Sequence, residues 1–83
     1  MMESIPTDTY AITYWGQGSD GKEWLELGRW GGKSWQLVYI KTGGEWIPPR
    51  SLTPFLFHDR TKIVSKEALL AKHPDLIMRL MER

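Results

Sequence analysis

Two histidines sit beside carboxylates, in His58-Asp59 and in His73-Pro74-Asp75. Such pairs are a common way to build a general base or part of a metal site. The spacing here suits neither use. Neither histidine has an i, i+4 partner, no H-E-x-x-H pattern occurs, and no cysteine is present as nucleophile or thiolate ligand. No serine occupies a G-x-S-x-G elbow. Gly16-x-Gly18-x-x-Gly21 spells the dinucleotide fingerprint, but the residues after it read as a strand. No helix N-terminus would then meet a pyrophosphate, and the run reads as a hairpin loop. The inventory predicts a protein that is not an enzyme and uses no metal and no cofactor.

Aromatic surface is what the chain has instead. All five tryptophans fall between Trp15 and Trp46, with Trp24, Trp30 and Trp35 close together. A ring this large is used where one apolar surface must be made from few residues, as in a small core or an interface anchor. With 83 residues there is room for one core, and a chain of that size buries only about 60–65% of its unfolded surface. Without cysteine there is no disulfide to compensate, so large aromatics or self-association must supply burial. A homodimer is therefore expected, packed through its sheets or through the stripe Leu76, Ile77, Leu80 and Met81. The first residues lack a basic region followed by an apolar run, and no stretch approaches the roughly 18 apolar residues of a membrane span. Together with the missing cysteines, this predicts a cytoplasmic protein with no membrane association.

Charge separates the possible partners. Through Arg50 five bases face six acids, and from Ser51 onward six bases face four. The tryptophan-rich part is thus slightly acidic and the tail mildly basic, without the clustered positive stripe that phosphate neutralisation requires.

The elements that must position these residues follow from periodicity. Tyr10–Trp15 is dense in β-branched and aromatic residues and stops at turn formers. Glu23–Trp30 and Ser34–Lys41 complete an antiparallel meander, the glycine pair Gly31-Gly32 serving the tight turn between them. Glu45–Arg50 begins with a strand-like pair, but Pro48-Pro49 confines the segment to an edge or an extended crossover. Leu52–His58 reads as a short edge strand or a buried loop, and Asp59–Lys62 as a turn. Ser65 is placed to cap a helix over Lys66–Lys72, and Pro74 to open a second helix, with a break near His73. The expected class is α+β: an antiparallel three- to four-stranded β-meander followed by one or two C-terminal helices. Residues 1–83 are expected as one domain, with a flexible N-terminus over 1–8, a sheet region over 9–57 and a helical region over 63–83.

Strict alternation puts Leu25, Leu27, Val38 and Ile40 under the helices and leaves Trp24, Trp30, Trp35 and Tyr39 on the far face. Two fates are open for that face. Either the segment Trp46–Phe57 folds across and buries it, or the rings stay exposed as a contact patch. Trp24 and Trp46, with Tyr39 between them and Pro48-Pro49 after, resemble the WW domain, whose three-stranded sheet holds proline-rich peptides. The chain departs from that pattern in lacking the proline ahead of the first tryptophan and the Asn/His turn residues. A sheet followed by a helix is also similar to integrase arm-binding domains. Those, however, carry several Arg and Lys on the sheet where this chain is near neutral. The expected function is a small non-enzymatic protein-binding module, an adaptor or inhibitor of the kind phages and mobile elements encode. Its expected contact residues are Trp24, Trp30, Trp35, Tyr39 and Arg29. The alternative is a nucleic-acid-binding domain that stacks bases on Trp24, Trp30 and Trp35 while Arg29, Lys33 and Lys41 reach the backbone.

Overall fold

The computed structural model describes Pro6 and residues 9–81. Five strands are present: β1 (Tyr10–Gln17), β2 (Glu23–Trp30), β3 (Trp35–Thr42), β4 (Glu45–Ile47) and β5 (Thr61–Val64). Two helices follow, α1 (Lys66–Lys72) and α2 (Leu76–Met81). The sheet order is β4-β3-β2-β1-β5 and every pairing is antiparallel. The class is therefore α+β, a meander followed by two C-terminal helices. The expectation for residues 1–8 lies outside the described residues, Pro6 apart.

Local chemistry accounts for most boundaries. Thr42 pairs with Glu45, so Gly43 and Gly44 form a two-residue hairpin loop, and both take positive φ (60° and 86°) as the right-handed sheet twist demands. Ser65 caps α1, its Oγ accepting from the Ala68 N–H at 3.1 Å. His73 ends α1, its N–H donating to the Leu69 carbonyl at 2.8 Å before Pro74 lets the chain restart.

Strand β5 is a correction to the sequence reading. Its residues fall where a turn over Asp59–Lys62 and the start of the helical region were expected. Only four residues long, it gives little periodicity to read. It forms because β1 has a free edge, where Thr61 to Val64 pair with Thr13 to Tyr10. The Thr13 and Thr61 hydroxyls, 2.7 Å apart across this pair, satisfy each other where Thr13 is wholly buried.

Both helices pack on one face of the sheet. The core there contains Tyr10, Leu25, Leu27, Val38, Tyr39, Trp46, Leu69, Leu76 and Leu80. Two of the four residues expected to pair two copies, Leu76 and Leu80, are thus buried within the chain, while Ile77 and Met81 are exposed.

Between β4 and β5 the chain passes from one edge of the sheet to the other. It first runs beside β3, the Leu37 N–H donating to the Thr53 carbonyl at 2.8 Å and the Phe55 N–H to the Trp35 carbonyl at 3.1 Å. From there it leads to β5 at the opposite edge, with Phe55 against Gly28 of the central strand β2. Residues 53–58 therefore form a strap across the face remote from the helices.

Candidate functional site

The far face is built around one small residue. Gly28 pairs with Ala11 on one side and Leu37 on the other, and it leaves a hollow at the middle of the sheet. Phe55 fills the hollow so closely that a Cβ on Gly28 would stand 2.3 Å from the ring. Other rings lean on Phe55. Phe57 meets it edge-on at 5.5 Å, and Trp35 lies 6.3 Å from Phe55 and 5.1 Å from Phe57. Trp30 continues the row at 5.6 Å from Trp35, its partner across β2 and β3. Such tilted and edge-on contacts are the arrangement that ring quadrupoles favour.

Both fates foreseen for this face are realised, in different places. Within the strap Phe55 is buried, and Trp35, which packs against Phe55 and Phe57, is half-buried, as is Trp30 beside it. Beyond it the sheet is uncovered, with Trp24 49% exposed and Trp15 43% exposed. These two are neighbours, because Trp24 pairs with Gly16 and Trp15 occupies the bulge just before it. The Trp15 Nε1–H donates to Glu26 Oε1 at 2.9 Å, which fixes the indole over the sheet. His58 of the strap then meets the Trp15 ring edge-on at 4.7 Å. The strap adds Leu56 and Phe57, 64% and 46% exposed. An uncovered aromatic and aliphatic area thus runs from Trp24 through Trp15 to the outer side of the strap.

Of the residues foreseen as contacts, the structure brings Trp24, Trp30 and Trp35 to this face and removes two others. Tyr39 is buried on the helix side, where its hydroxyl donates to the Arg79 carbonyl at 3.2 Å. The cause is a bulge: Leu27 pairs with Tyr39 but Gly28 pairs with Leu37, so Val38 is extra and the alternation shifts by one. The same shift carries Ile40 to the far face, where it pairs with Glu26, instead of under the helices as expected. Arg29 pairs with Tyr10 and so belongs to the helix side. Lys41 is there too, its Nζ 3.4 Å from Asp75 Oδ2 and 5.6 Å from the centre of the Trp46 ring. Lys33 is in the exposed β2–β3 loop. The cations expected to reach a nucleic-acid backbone are therefore not gathered around the exposed rings. Trp15, Leu56 and Phe57 are far-face residues that sequence reasoning left out. For Leu56 and Phe57 the one sequence signal is the density of apolar residues in the proline-interrupted run 52–58, and for Trp15 it is alternation with Ala11 and Thr13 along the first strand.

His73 lies on the helix side, perpendicular to the buried Trp46 ring at 5.8 Å. Burial, and then the nearby Lys41 ammonium, hold its pKa below the ordinary 6.5, with Asp75 and Glu23 opposing. The unfolded chain therefore takes up a proton at this residue before the folded chain does. Stability contributed by neutral His73 is present above pH 6.5 and declines as pH falls below it. Urea midpoints measured from pH 7.5 down to about pH 5 should fall less steeply in His73→Gln than in the parent.

Among the described residues no group of three or more His, Asp or Glu side chains converges as a metal site. No helix among them is long and apolar enough to cross a membrane. No protein-family model, no curated protein and no solved structure matches the chain.

Proposed function

We propose that this chain is a non-enzymatic protein-binding domain, an adaptor or inhibitor acting in the cytoplasm, whose contact surface is the uncovered part of the far face. The observation that carries this reading is the adjacency of Trp15 and Trp24, each more than two-fifths exposed beside the protruding Leu56 and Phe57. Exposed apolar patches of this kind mark association sites, and tryptophan is the residue most enriched among binding hot spots. The row from Phe55 to Trp30 packs against Phe57 at the strap end of the patch. It holds the strap in one position, so that little ordering is required when a partner docks.

The test is a paired capture experiment from the protein's native source with the parent chain and Trp15→Ala/Trp24→Ala, identifying what binds by mass spectrometry. A specific protein captured by the parent and reduced about thirtyfold by the double variant, the effect of losing a hot-spot residue, supports the proposal. Retention should also change little between about 50 and 200 mM salt, over which several phosphate contacts would lose tenfold or more. Steeply salt-dependent capture of nucleic acid, or equal capture by parent and variant, overturns it.

A further inference from the structure

On the opposite side of the sheet, α1 leaves part of β1 and β5 uncovered and a cleft of about 390 Å3 opens between them. Its floor is apolar, with Leu25 and Leu69 buried and Ile12 half-buried, and the ring of Tyr14 is partly exposed at its margin. Its charge is one-sided. Arg60 and Lys62 come from the β5 end and Lys72 from α1, against the single acid Glu23. Lys62 pairs with Ile12, and so belongs to the helix side, beside the apolar floor. None of the three cations has a carboxylate within ion-pair distance among the described residues.

We propose that this cleft binds a small amphipathic anion, with an aromatic or aliphatic body on the Ile12, Leu25 and Leu69 floor and a carboxylate or phosphate held by Lys62, Lys72 and Arg60. Size and charge together define this ligand class. A cleft near 390 Å3 is at the small end of the range for small-molecule sites. The surplus of two positive charges over one acid selects an anion, and bringing the head group to ammonium groups beside apolar surface strengthens the attraction relative to bulk water. The floor supplies affinity by removing the ligand's apolar surface from water. Because the cleft and the Trp15–Trp24 patch are on opposite faces of the sheet, this site does not rest on the protein-binding reading.

The experiment is a titration of the isotope-labelled full chain, followed by amide resonances, with 1-naphthylacetate, 1-naphthyl phosphate and the uncharged 2-(1-naphthyl)ethanol. The amides of Ile12, Leu69 and Lys72 should shift with the anions, and the alcohol should bind several-fold more weakly. Lys62→Glu/Lys72→Glu changes two exposed side chains and should weaken anion binding by about tenfold or more while leaving the spectrum of the free protein folded. Lys62→Gln/Lys72→Gln keeps most of each stem and should show a smaller loss in the same direction. Binding of either anion alone supports the site and identifies its head group. The proposal is overturned by no shifts at millimolar anion, by equal affinity for the alcohol, or by affinity unchanged by charge reversal in a folded variant. Shifts centred on Trp15 and Phe57 also overturn it, since they move the ligand to the other face.

Discussion

Gly28→Ala should destabilise this protein more than any other single-methyl addition to its sheet, by about 3 kcal/mol, the upper part of the range for overpacking. The added Cβ would lie 2.3 Å, 2.4 Å and 2.7 Å from three carbons of the Phe55 ring, closer than any carbon contact allows. Phe55 has little freedom to retreat, since its N–H is bonded to the Trp35 carbonyl and Phe57 and Trp35 pack against its ring. Phe55→Ala should itself cost about 3–5 kcal/mol through the cavity it leaves. The two costs should not add. Once the ring is gone, Gly28→Ala meets no clash and gains the roughly 0.5–1 kcal/mol by which alanine is favoured over glycine in a strand. Urea unfolding of the parent, both single variants and the double variant forms a complete cycle, with an expected coupling of about 3.5–4 kcal/mol. Additive costs would mean that the strap is not seated on Gly28. The same loosening should weaken partner capture, because Leu56 and Phe57 are presented by the segment that Phe55 anchors.

How far the sequence reveals this arrangement depends on the range of the interactions involved. Strands β1 to β3, the edge role of β4 before Pro48-Pro49, the Ser65 cap and the break at His73 all arise from neighbouring residues, and each is legible in the chain. The bulge at Val38 is not, because it reflects how β3 fits β2 rather than any preference of Leu37-Val38-Tyr39 itself. One unread residue there reverses the faces of Tyr39 and Ile40, so strict alternation assigns Tyr39 to a surface from which it is excluded. Gly28 shows a second kind of concealment. In sequence it is a weak point in a strand pattern, which signals a close approach without naming what approaches. Phe55 is that partner, and the distance between them along the chain hides it. The candidate site is partly legible for the same reason: Trp24 can be placed by alternation, whereas Leu56 and Phe57 acquire their positions only through the strap.

Trp46→Ala is the second large effect expected, about 3–5 kcal/mol of stability, since the ring is 2% exposed and belongs to the core beneath the helices. Trp46→Phe should cost much less, about 1 kcal/mol. It retains an aromatic ring and removes an indole N–H that finds no hydrogen-bond acceptor among the described residues. Burying such a donor costs about 1–3 kcal/mol, so its removal offsets much of the lost volume. The two substitutions should also differ in their effect on His73, which the Trp46 ring shields edge-on. In Trp46→Ala water reaches the imidazole, the burial that lowers its pKa is relieved, and the value should rise toward 6.5. The loss of stability below pH 6.5 should then become shallower in Trp46→Ala and persist in Trp46→Phe. Titration of the His73 ring protons by NMR in the three proteins reads this directly. An unchanged His73 titration in a folded Trp46→Ala protein would show that Lys41, and not shielding by the tryptophan, keeps the imidazole neutral.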